Sequence, residues 1–97
     1  MINLLTIIYA PEKEYLLPYQ DRATHWLPEE SEDTANIYQL QNTVCTTKDG
    51  VLDMLKILIS EGTLPFDKVI WINVSNQQDR IAYTFSPLGK INNFFKV

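Results

Sequence analysis

Residues 46–62 read TTKDGVLDMLKILISEG, and this stretch decides the fold. Thr46 and Thr47 can each place a hydroxyl over the first free N–H groups of a helix. Asp49, three residues after Thr46, makes an imperfect capping box, since Glu or Gln is the usual partner there. At about 100° per residue, Asp49, Asp53, Lys56 and Ser60 fall on one narrow polar stripe. Val51, Leu52, Met54, Leu55, Leu58 and Ile59 spread over the other faces, with Ile57 at the margin. Gly62 suits the left-handed conformation that ends a helix, and Pro65 follows shortly after. The stretch therefore predicts a helix over about 47–61. Being apolar over so much of its circumference, it is expected to be covered on more than one side.

The segments flanking this helix read as strands. INLLTIIYA, 2–10, is mainly apolar on both faces, the mark of a strand covered on both sides, and Pro11 ends it. VIWINV, 69–74, has the same character apart from Asn73, so the two are expected to lie together in the centre of the sheet. SNQQD, 75–79, is a polar turn. Ile81, Tyr83 and Phe85 then alternate with Arg80, Ala82 and Thr84, which makes a hairpin. Ser86-Pro87-Leu88-Gly89 reads as a tight turn, and INNFFKV, 91–97, as a last edge strand, with a short terminal helix as the alternative. In ANIYQLQNTVC, 35–45, Tyr38, Leu40 and Val44 follow a period of two broken by Asn42, and Ile37, Leu40 and Val44 also suit a helix; a strand near 36–42 that feeds the main helix is the favoured reading. Tyr19, Ala23, Trp26 and Leu27 fall at helical spacing, so a short helix is expected over about 18–26, entered at Pro18 and left before Pro28.

The sum is one α+β (or small α/β) domain over residues 1–97. It has a mixed sheet of four to five strands, one main helix, a short helix and a C-terminal antiparallel hairpin. A right-handed crossover is expected to join the parts on either side of the main helix. Two strands ask for cover on both faces, yet only one long helix is present. Either residues 15–28 or a second copy supplies the rest, so a homodimer stands as one alternative.

Composition narrows the function. A hydrophobic fraction of 45% and a charged fraction of 21% belong to an ordinary globular protein. No apolar run approaches the ~20 residues of a membrane helix, and the opening MINLLTIIYAPEKE has neither a basic n-region nor a small-residue cleavage site. The net charge of −4 has a local origin in Glu29, Glu30, Glu32 and Asp33. With no clustered Lys or Arg there is no electrostatic footprint for nucleic acid. A single cysteine, Cys45, rules out an intrachain disulfide and a CxxC site and accords with a reducing cytoplasmic compartment.

Chemistry-bearing patterns are sparse. The three glycines are far apart, so no phosphate loop exists, and no cofactor or metal is expected. On the expected 18–26 helix, Asp21 and His25 sit at i and i+4, able to share a proton or two metal positions. A catalytic metal wants a third protein ligand, and none is apparent nearby. Cys45 precedes the main helix, where the helix dipole lowers a thiol pKa if the sulfur points that way. A buried cysteine acting as apolar filler is much commoner. Trp26, beside the acidic run and near Tyr15 and Leu16, has the composition of a binding anchor rimmed by charge. The plainer reading packs Trp26 on the sheet and leaves 29–33 as a solvated loop.

Three functional readings result. The first is a small acidic intracellular protein-binding or regulatory domain, an inhibitor- or immunity-type partner of a larger basic protein, docking through Tyr15, Leu16, Trp26, Glu29, Glu30, Glu32 and Asp33. The second is a small enzyme or composite-site subunit using Asp21, His25 and Cys45. The third is a structural subunit of a homo-oligomer. Missing catalytic motifs favour the first.

Overall fold

A computed structural model describes residues 4–27, 37–75 and 79–97. It shows an α+β protein built on one mixed sheet of six strands, one more than the upper sequence expectation. Among the described residues the strands are β1 (Leu5–Tyr9), β2 (His25–Trp26), β3 (Thr43–Thr46), β4 (Val69–Val74), β5 (Arg80–Phe85) and β6 (Ile91–Lys96), with one α-helix, α1 (Gly50–Ser60). Their order across the sheet is β2-β3-β1-β4-β5-β6. β1 runs parallel to both β3 and β4, placing Ile7 between Val44 and Trp71. β4-β5-β6 then continue as antiparallel neighbours. The sheet is thus parallel on one side, where α1 makes the crossover from β3 to β4, and a meander on the other.

Because side chains alternate across a strand, the ladder sorts the core into two layers. Leu5, Ile7, Val44, Val69, Trp71 and Phe85 pack under Val51, Leu55 and Ile59 of α1, with Leu27, Ile37 and Leu64 closing the ends. On the opposite face Ile8, Ala10, Cys45 and Val74 pack against Leu16, Tyr15, Tyr19, Ala23 and Trp26. The central placing of β1 and β4 agrees with their two-sided hydrophobicity.

Three local expectations are corrected. The helix begins at Gly50, and its N-cap, Asp49, makes no side-chain cap. Thr46 lies in β3 instead, where its buried Oγ1 accepts from the Lys48 N–H at 3.0 Å. The strand expected near 36–42 is displaced to Thr43–Thr46. Residues 37–41 turn, with Gln41 at φ 77°, and the Asn42 amide donates to the Ile37 carbonyl at 3.1 Å. Threonine, valine and cysteine suit the pleat better than the Gln-Leu-Gln-Asn run before them. Finally, the helix expected over 18–26 is a 3₁₀ turn, Leu17–Arg22, followed by extended backbone into β2. There, the Thr24 and Leu27 N–H groups bond the Thr43 and Cys45 carbonyls at 2.7 and 2.9 Å. Ladder pairing along β3 replaces the helical bonds that Thr24–Leu27 would otherwise make.

The end of α1 follows the sequence reading. Gly62 has φ +83°, its N–H bonds Ile59 O at 3.1 Å, and the Thr63 N–H bonds Leu58 O at 2.9 Å. These are the two bonds of a Schellman motif. The expected cover on several sides is not found: Met54 is 42% and Ile57 49% exposed, and only Val51, Leu55 and Ile59 are buried along the helix.

Candidate functional site

Two surfaces stand out, at opposite ends of the chemistry. The first is a cleft at the carboxyl ends of the parallel strands, the position where open α/β sheets place ligands. The chain leaving β1 crosses one face through the turns Lys13–Tyr15 and Leu17–Arg22, while the chain leaving β3 enters α1 on the other face. Between the 3₁₀ turn and the ends of β4 and β5 lies a cleft of about 240 Å³ lined by Tyr15, Pro18, Tyr19, Arg22, Val74 and Arg80. Arg22 and Arg80 are the only arginines in the chain, and both line this cleft. Arg80 Nη1 donates to the Tyr19 hydroxyl at 3.2 Å, and its Nε is buried with no acceptor. Among the described residues no carboxylate lies within 4.0 Å of either guanidinium.

The second surface is β6. Every residue of this edge strand is exposed, with Phe94 66% and Phe95 47% open to solvent and on opposite faces of the sheet. Phe94 tilts against Tyr83 at 6.1 Å. An open groove of about 520 Å³, formed by Ser75, Asp79, Ile81, Phe94, Phe95 and Lys96, runs beside the strand. Lys96 approaches Asp79 at 3.9 Å. Among the described residues β6 pairs only with β5, so its outer edge presents backbone donors and acceptors, of which the Phe94 N–H is bonded to the Asn93 side-chain oxygen at 2.9 Å. On the α1 face, Tyr9 stacks on Trp71 at 5.2 Å and the two share a smaller groove with Asp49, Asn73 and Tyr83.

The residues singled out by the sequence are dispersed. Asp21 is exposed in the 3₁₀ turn and His25 half-buried in β2, so the helical i, i+4 stacking that linked them is absent. Among the described residues no group of three His, Cys, Asp or Glu could hold a metal. Cys45 is fully buried inside β3, its Sγ 4.0 Å from the Tyr19 carbonyl. The dipole argument fails for it because α1 starts only at Gly50. Burial instead pushes its thiol pKa up to about 11. Leu16 is fully buried, so it serves the core and cannot touch a partner. Trp26 packs beside it as cover, its indole Nε1 buried without an acceptor. Tyr15 remains at a surface, in the arginine cleft. Glu29, Glu30, Glu32 and Asp33 lie outside the described residues.

Sequence reading missed Tyr19, Arg22 and Arg80 as a group, and Phe94 with Phe95. The arginines stand far apart in the chain and line one cleft only because β5 begins beside the turn that follows β1. The paired phenylalanines were visible, but only the edge position of β6 leaves both faces open. Comparison of the chain with protein-family models, curated proteins and solved structures finds no match.

Proposed function

We propose that this chain is a protein-binding domain that accepts an extended segment of a partner along β6. The observation that carries the reading is the exposed strand β6, which pairs on one side only among the described residues and carries Phe94 and Phe95. Strand addition draws affinity from main-chain hydrogen bonds and specificity from pockets beside alternate side chains, and the groove between Asp79 and Phe95 is such a pocket. The two phenyl rings offer roughly 200 Å² of exposed apolar area, taking ~200 Å² for a whole phenylalanine. That area is a hot-spot-sized anchor within an interface of ~800 Å² per partner. The acidic run 29–33 supports a partner with basic character, because a concentrated charge steers encounter over distances beyond direct contact. A reducing, cytoplasmic setting accords with the single cysteine.

The test is selection of a displayed-peptide library on the full chain, repeated on the Phe94→Lys, Phe95→Lys double variant. Support is a set of basic, apolar-centred peptides that bind the parent, protect β6 amides from exchange and lose binding to the variant. Peptides that bind both proteins equally overturn the reading. A concentration-dependent dimer by light scattering, abolished by the same double variant, would reassign the edge to a second copy and also overturn it.

A further inference from the structure

We infer that the cleft between the Leu17–Arg22 turn and the start of β5 is a binding site for a small phosphate monoester. Three observations converge on it. Both arginines of an acidic chain line one cleft. Neither is neutralised by a described carboxylate. Among the described residues the Arg80 guanidinium has the Tyr19 hydroxyl as its acceptor, and its buried Nε has none.

Two like charges lining one cleft with no counter-ion among the described residues repel each other, and a guanidinium short of acceptors forfeits hydrogen bonds that water would supply. A structure that keeps such a pair at one cleft is complementary to an anion. The charge selects among anions. Two guanidinium groups match the near-dianionic phosphate of a monoester better than a single carboxylate, and their forked donors suit its oxygens. The Tyr19 hydroxyl, already against Arg80, adds a donor at the same cleft, and Tyr15, Pro18 and Val74 line it with apolar surface for the organic part. Size sets an upper limit. A volume of about 240 Å³ falls below the ~300–1,000 Å³ of sites for drug-sized ligands, so the ligand is small. The cleft lies where the carboxyl end of β4 and the start of β5 meet the turns that follow β1.

The proposal is independent of strand addition at β6, which uses the far edge of the sheet. It is tested by amide NMR titration of the full chain with phenyl phosphate, inorganic phosphate and benzoate at constant ionic strength. Saturable shifts are expected at Tyr15, Tyr19, Arg22, Val74 and Arg80, with phenyl phosphate binding more tightly than inorganic phosphate and benzoate weakest. Arg22→Gln, an exposed change that leaves the core untouched, should weaken phenyl phosphate about tenfold or more. Arg80→Lys should weaken it too, because a point charge does not replace the fork. Spectra dispersed like those of the parent establish that each variant is folded. Equal binding of benzoate and phenyl phosphate, shifts unaffected by Arg22→Gln, or no saturable shift in this cleft would each overturn the proposal.

Discussion

The backbone of Gly89 lies against the carbonyl oxygen of Lys56, locking the β5–β6 turn onto the flank of α1. A Cβ built on Gly89 would overlap that oxygen and reach Ser60 Cβ at 3.1 Å, and the residue has φ +77°. Both the space and the conformation demand glycine. Gly50, at the first turn of the same helix, has nothing within 4 Å of an added Cβ.

These two glycines give opposite expectations. Gly89→Ala should destabilise the fold by about 2–4 kcal/mol, from left-handed strain plus overlap with backbone. Gly50→Ala should stabilise it by about 0.5–1 kcal/mol, because alanine has less unfolded-state entropy to lose. Urea unfolding of both variants checks the pair. Equal effects would contradict the packing of the turn on the helix.

The one-sided cover of α1 makes a second contrast. Leu55 is fully buried against the sheet, whereas Ile57 is half exposed. Leu55→Ala is expected to cost about 2–5 kcal/mol, and Ile57→Ala to stay within about 0.5 kcal/mol. A large loss at Ile57 would mean that the outer flank is covered after all.

Cys45 predicts a dependence on alkaline pH. Burial raises its thiol from an ordinary 9.0 to about 11, so between those values the native state keeps a proton that the unfolded chain releases. Stability from this group is complete below pH 9 and lost as pH rises toward 11, at up to about 1.4 kcal/mol per pH unit. Desolvation also raises Tyr38, which acts in the same direction. Unfolding midpoints between pH 8 and 10.5 should fall for the parent and flatten in Cys45→Ala. In the native protein a thiol reagent should react slowly at pH 8, and quickly once urea exposes the sulfur.

Salt separates the role of the acidic run from that of β6. Replacing Glu29, Glu30, Glu32 and Asp33 by their amides should slow association with a β6-binding basic peptide several-fold at low ionic strength. At about 0.5 M salt, where screening is strong, parent and variant should converge. Surface-plasmon kinetics at two salt concentrations measure this. An unchanged rate at low salt removes the acidic run from the binding reading.

Much of the architecture was legible because it rests on local rules. Two-sided hydrophobicity placed 2–10 and 69–74 at the sheet centre, where β1 and β4 lie paired. Alternation in 80–85 yielded the hairpin, and Gly62 marked the end of α1. Errors fell where neighbours in space outweigh neighbours in sequence. Trp26 has a helical spacing with Tyr19 and His25 with Asp21, yet Val44 and Cys45 offer His25 and Trp26 a ladder, and pairing prevails. Thr46 could cap a helix, yet the Tyr9 strand beside it draws it into the sheet.

The residues around α1 therefore carry two kinds of information. TTKDGVLDMLKILISEG by itself determined that a helix forms and which turn ends it, because hydrogen bonding and apolar periodicity act within a few residues. Only the tertiary structure decided that Met54 and Ile57 face outward, that β6 is left as an open edge, and that Arg22 and Arg80 share a cleft. Each of those outcomes depends on which distant strands become neighbours, and strand order is set by the burial of the whole sheet rather than by any one segment.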